Sequence, residues 1–183
     1  MTWKNIAAGP DAVRKRINRE PLPALAIGLP WLTIILASMV SFSPIIASAP
    51  IVPPLSYLML LGWRMMRPGL LPVWAGLPLG FFDDLYSGQI FGSGILLWSL
   101  SMLAMELIDE RFLWRSFAQD WLAASLLTTG YLLAGAALAG LVTGYPLPFV
   151  ILPQVLISVL FFPVTAGIIA LLDRVRLLPL KRL

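Results

Sequence analysis

Cysteine and histidine are both absent from the 183 residues. Without cysteine there is no disulfide framework and no thiolate nucleophile, and the redox compartment leaves no mark on the sequence. Without histidine the chain lacks the commonest general base and the commonest transition-metal ligand. It also has no Gly-rich phosphate loop with its lysine, no metal-ligand cluster and no nucleophile with a plausible base. These gaps predict a protein that is not an enzyme, with no catalytic, cofactor-binding or metal set. Charge is scarce as well: 12% of residues are Asp, Glu, Lys or Arg, about half the share in an ordinary soluble domain.

What fills the chain is hydrocarbon. Hydrophobic residues make up 59% of it, and the mean hydropathy is +0.88. Such a composition cannot cover a water-facing surface and predicts an all-α integral membrane protein. Six apolar stretches approach the roughly 20 residues that cross a bilayer: Ala24–Phe42, Ala49–Trp63, Leu70–Tyr86, Ile90–Ile108, Trp121–Val142 and Phe149–Leu172. The second is short, and Pro53-Pro54 predicts a distorted or re-entrant start. A basic stretch followed by a full-length apolar segment, with no small-residue cleavage site, reads as a retained first span rather than a signal peptide.

The basic residues orient this arrangement. The N-terminal tail carries Lys4, Arg14, Lys15, Arg16 and Arg19. The second connection carries Arg64 and Arg67, and the fourth Arg111 and Arg115. The C-terminal tail carries Arg174, Arg176, Lys181 and Arg182. These are all thirteen Lys and Arg, and they fall on one side of the expected bilayer. Positive charge is held on the cytoplasmic side during insertion, so both termini are expected there. The organisation is then a basic cytoplasmic tail (1–23), a six-helix transmembrane domain (24–172) and a second basic tail (173–183). Trp63, Trp114 and Trp121 mark the inner boundary and Tyr86 and Tyr145 the outer one, as interfacial belts. The net charge of +4 is thus topogenic, which argues against a nucleic-acid partner. The stretch DAVRKRINRE reads as a solvated orientation signal, or as a short surface helix on anionic lipid.

Within the third stretch, GFFDDLYSG places Asp83 and Asp84 side by side in apolar surroundings, where ionisable groups are costly and usually kept for a reason. Gly76, Gly80, Asp84 and Gly88 recur every four residues, forming one stripe on a helix. Gly76 and Gly80 form a small-xxx-small pair that lets another backbone approach, and Asp84 continues that face toward protein. Asp83 lies about 100° around the helix. Adjacent residues diverge, so the pair does not suit an aspartyl hydrolase, whose carboxylates share a proton or a water. Two uses remain for Asp84: ending or bonding a helix, or contacting a ligand or partner.

Ala136, Gly140 and Gly144, with Gly135 and Ala139 beside them, make a second small-residue stripe, read as a tight helix contact. Prolines 30, 72, 78, 153 and 163 predict bent helices around a central hollow. Glu106 and Glu110 share a face near Arg111 and Arg115, read as a helix end reaching water, with a cytoplasmic partner contact as the alternative. Ser38, Ser41, Ser99, Ser101 and Ser158, isolated in apolar context, are expected to bond their own helices.

The run RPGLLPVWAGLPLGFFDDLYSGQIFGSGILLW, Arg67 to Trp98, resembles the bacterial rod shape-determining membrane protein MreD family. The matching positions are Arg67-Pro68 after a short basic loop, then Gly80, Asp84, Gly88 and Gly92. The family often has proline where this chain has Ile90, and Asp83 lies outside the shared pattern. The motif covers about thirty residues, whereas length, span number and termini agree along the chain. The resemblance implies a bundle similar to the substrate-binding subunits of energy-coupling-factor vitamin transporters. It implies a non-enzymatic, multi-pass subunit of the wall-elongation machinery in the bacterial inner (cytoplasmic) membrane. Its partner would be the single-span periplasmic protein MreC. Through it the chain would meet the actin-like MreB, a SEDS glycosyltransferase and a class B penicillin-binding protein, alongside membrane lipid. Arg67, Pro68, Gly76, Gly80, Asp84, Gly88 and Gly92 are then the structural or partner-contact candidates. The rivals are a vitamin-binding transporter subunit, for which the outer loops offer only Tyr86, Gln89 and Tyr145, and a lipid-processing enzyme, which would lack a second acid and a histidine.

Overall fold

A computed structural model describes residues 23–40, 52–111, 116–144 and 151–176. Within them the regular structure is helical, with no strand: α1 (Pro23–Val40), α2 (Leu55–Met66), a 3-10 turn (Val73–Ala75), α3 (Gly76–Tyr86), α4 (Ser93–Arg111), α5 (Phe117–Thr143) and α6 (Leu152–Arg176). The helices follow the six apolar stretches in order. Two of them, α5 over Phe117–Val142 and α6, are long and apolar enough to cross a membrane. Most of the N-terminal tail, Ser41, Trp114, Arg115, Tyr145 and the last seven residues lie outside the described residues.

The core is built around α2. Every residue from Ser56 to Met65 is buried, because the largely apolar helix packs against α1, α5 and α6 and its Ser56 and Arg64 find polar partners. Gly62 leaves room on α2 for the Ile169 side chain of α6. The outer surface is as apolar as the interior: Leu96, Leu100, Leu103 and Leu107 form an exposed stripe along α4, and Leu122, Leu126 and Leu141 stand out from α5.

Several sequence expectations need correction. α2 has 12 residues and α3 has 11, about 18 and 16 Å at 1.5 Å per residue, so neither crosses roughly 30 Å of hydrocarbon alone. In the described part of the second stretch, from Val52 on, the helix starts at Leu55, just after Pro53-Pro54. The third spends Leu70 to Pro72 in a turn before its 3-10 start. Trp63 is no boundary belt: it is fully buried, and its indole N–H donates to Thr33 Oγ1 at 3.0 Å.

Of the five prolines, only Pro30 and Pro163 lie inside helices. Pro72 precedes the 3-10 turn, while Pro78 and Pro153 occupy first turns, where the missing N–H has no intrahelical partner to lose. Pro163 removes the donor that Val159 would receive four residues earlier. Trp121 supplies it from α5, its indole N–H reaching Val159 O at 2.9 Å. The tryptophan read as an inner-belt residue therefore mends a broken helix bond. The second small-residue stripe is only half-buried. Gly144 is its exposed end, in the left-handed C-cap of α5 at φ +75° with nothing within 4 Å of a built Cβ.

Candidate functional site

The stretch from Arg67 to Ile95 folds as one device, beginning with a turn. Leu70 N–H donates to Arg67 O at 3.1 Å, with Pro68 second and Gly69 third at φ +88°. A type II turn asks for this order, a fixed φ and then a left-handed residue. Arg67 leaves the turn toward α6, where its Nε and Nη2 donate to Asp173 Oδ2 at 3.1 and 2.6 Å. That carboxylate raises the guanidinium above its already high ordinary value, so Arg67 stays charged at any physiological pH. Asp173 also receives Arg176 at 2.9 Å.

Next, α3 and α4 lie backbone against backbone. A Cβ built on Gly76 would stand 2.9 Å from Ser99 Cα and Trp98 O. One on Gly80 would stand 2.6 Å from Gly94 O, and one on Gly94 2.6 Å from Asp84 Oδ1. The glycine stripe therefore closes an intramolecular hairpin. The chain reverses through Ser87–Gly92, where Gly88 (φ +66°) ends α3 and Gly92 (φ +94°) precedes α4, both in conformations that side chains resist.

Asp84 locks this reversal. Its carboxylate accepts N–H bonds from Gly92 (2.9 Å to Oδ2), Gly94 (2.7 Å to Oδ1) and Ile95 (3.2 Å to Oδ2). These are donors at the start of α4 that have no intrahelical partner, and a negative charge there also meets the positive end of the helix dipole. Asp84 thus caps the helix after its own. Its side chain is buried and its oxygens are occupied.

Asp83 points elsewhere. It is buried, and Ser56 Oγ of α2 donates to its Oδ1 at 2.7 Å. It lines a cavity of about 200 Å³ shared with Val40, Val52, Pro53, Pro54, Ser56, Ser87, Gln89, Tyr131 and Gln154. Gln154 Nε2 donates to Val52 O at 2.7 Å. Tyr131 stacks on Tyr57 with ring centroids 4.2 Å apart, and Gln89 Nε2 reaches the Tyr131 hydroxyl at 3.4 Å. The cavity thus has a partly polar lining, and none of prolines 30, 72, 78, 153 and 163 contributes to it. Ser56, Tyr131 and Gln154 went unread in the sequence because they come from separate helices.

At the opposite end of α2, Arg64 is buried and pairs with Glu106 and, at 3.2 Å, with Asp109 of α4. The Glu106 side chain is 45% exposed, so it reaches water as the sequence predicts while also pairing with Arg64. Glu110 is exposed, in keeping with the same expectation. Ser99, Ser101 and Ser158 bond the carbonyl four residues back in their own helices, as their surroundings predict. Ser38 is buried close to Asp83.

No protein-family model, curated protein or solved structure matches this chain.

Proposed function

We propose that this chain is a multi-pass scaffold of the bacterial inner membrane. In this reading it threads the bilayer six times with both termini cytoplasmic, and it belongs to the wall-elongation machinery of MreD type. The observation that carries the reading is the use of the Arg67–Gly92 motif. Arg67, Pro68, Gly76, Gly80, Asp84, Gly88 and Gly92 all build the α3–α4 hairpin and its tie to α6. A carboxylate that accepts three backbone N–H groups serves architecture, and the architecture presents a shaped apolar exterior to lipid and to other helices.

The leucine-rich outer faces of α4, α5 and α6 support the membrane reading, since the apolar windows of α5 and α6 are only 17% and 28% buried and a soluble core helix would be mostly covered. The short helices α2 and α3 fit it if neighbours shield them, as α2 is shielded. The ion pairs of Arg64 and Arg67 then lie at the cytoplasmic end, and the Asp83 cavity at the outer end.

The partner is a single-span periplasmic protein of MreC type, coupling indirectly to MreB, a SEDS glycosyltransferase and a class B penicillin-binding protein. Affinity purification of the full chain from native membranes tests this. The expected result is stoichiometric recovery of an MreC-type protein, reduced several-fold by Asp84→Leu. A stoichiometric vitamin-sized molecule and no partner protein would contradict it.

A further inference from the structure

The Asp83 cavity holds an acid that the scaffold does not use. Asp83 is 3% exposed, and its near neighbours are hydroxyls: Ser56 at 2.7 Å, with Ser38 close by. A carboxylate removed from water calls for a proton or a cation beside it. The described cations stand at the other end of the bundle. Arg64 and Arg67 are near the close of α2, Arg111 closes α4, and Arg174 and Arg176 close α6. In the sequence, positions 41–51 and 145–150 contain no Lys or Arg.

The cavity wall carries further oxygens that can accept a hydrogen bond. Ser87 Oγ is buried with no hydrogen-bond partner. Gln154 gives one amide N–H to Val52 O, and its Oε1 can accept. Tyr131 lines the same space, and an aromatic wall attracts organic cations. One carboxylate among neutral oxygens matches a single positive charge that brings several N–H donors. A divalent metal would ask for more anionic ligands, and no group of three or more His, Cys, Asp or Glu among the described residues could hold one. The volume suits a small headgroup, and rim residues Val40 and Gln89 are exposed.

We infer that this cavity binds a primary ammonium group, with Asp83 as its counter-ion and Ser87 Oγ and Gln154 Oε1 as further acceptors. The group comes from an aminophospholipid headgroup or from a free primary amine. The inference does not depend on the scaffold reading, since a bundle with any partner would retain the cavity.

Thermal unfolding of the purified full chain in detergent, titrated with defined probes, tests it. The probes are phosphatidylethanolamine, phosphatidylcholine of the same acyl chains, free ethanolamine and sodium chloride. A probe at about ten times its dissociation constant raises the midpoint by roughly 3–6 °C for a chain of this size. Protection by phosphatidylethanolamine alone assigns a lipid headgroup, and equal protection by ethanolamine assigns a free amine. Either supports the site if Asp83→Asn, which keeps an acceptor for Ser56, weakens the apparent affinity at least ten-fold. Should Asp83→Asn not fold, Ser87→Val carries the test by removing an acceptor and filling the mouth. Protection that survives the variant, equal protection by phosphatidylcholine or sodium, or no protection by either amine overturns the inference.

Discussion

Replacing Asp84 with asparagine keeps the shape of the side chain and removes its charge, and the structure sets what that costs. The single amide oxygen can take the place of Oδ2, keeping Gly92 and Ile95 as donors, or of Oδ1, keeping Gly94 alone. The first is better, and it turns the amide NH2 against the buried Gly94 N–H, whose 2.7 Å bond is the shortest of the three. Losing one bond to a charged acceptor costs about 1.5–3 kcal/mol. The two that remain drop to neutral strength, roughly half as strong. A total of about 3–6 kcal/mol follows, or about 6–24 °C in unfolding midpoint at 2–4 °C per kcal/mol for a chain of 150–250 residues. Tryptophan fluorescence during thermal unfolding in detergent reads this directly. Glu110→Gln, an exposed acid at the far end of α4, is the control and should move the midpoint by no more than about 2 °C. Hydrogen exchange at Gly92, Gly94 and Ile95 should quicken in Asp84→Asn while the middle of α4 stays protected. If Asp84→Asn unfolds within about 2 °C of the native chain, the capping argument fails.

Other changes test other joints. Gly80→Ala drives a methyl into the Gly94 carbonyl, which cannot rotate aside, and should cost at least about 1–3 kcal/mol of overpacking in the same unfolding assay. Trp121→Phe strands the Val159 carbonyl and should cost about 1 kcal/mol. In a Pro163→Ala background the new backbone N–H serves that carbonyl, so the second change should then cost close to nothing. A double-mutant cycle with no coupling would disprove the repair. Arg64→Met removes the guanidinium that pairs with Glu106 and Asp109, whose side chains are 45% and 20% exposed, and should destabilise by about 1 kcal/mol, with partial recovery when Glu106→Gln is added.

Much of the α3–α4 hairpin was readable in the sequence because its signals are local. Pro68-Gly69 announces a turn, and glycines four apart announce a close helix contact, whichever helix provides it. The four-residue spacing put Asp84 on the packed face and Asp83 off it. The donors it would meet were not readable, because they arise only when Ser87–Gly92 folds the next helix back over the carboxylate. Distance in the chain hid the rest. Ser56, Asp83, Tyr131 and Gln154 meet from four helices, and Trp121 serves a carbonyl 38 residues away. Trp63 misled for a different reason. An indole is as content in a core as at an interface when its N–H finds a partner, and Thr33 provides one. The pairing of Arg64 with Glu106 and Asp109 agrees with the expected threading, which puts all three at one depth.

The proposed threading would give each end of the bundle its face, and the absence of cysteine makes it directly measurable. Met66→Cys, on an exposed position beside the Arg67 turn, and Gln89→Cys, on the exposed turn between α3 and α4, can each serve as the sole thiol. Treated with a membrane-impermeant maleimide in intact cells, with the outer membrane opened, the thiol at position 89 should label. The thiol at position 66 should label only after the inner membrane is broken. Labelling of position 66 from outside, with position 89 protected until lysis, would contradict the account.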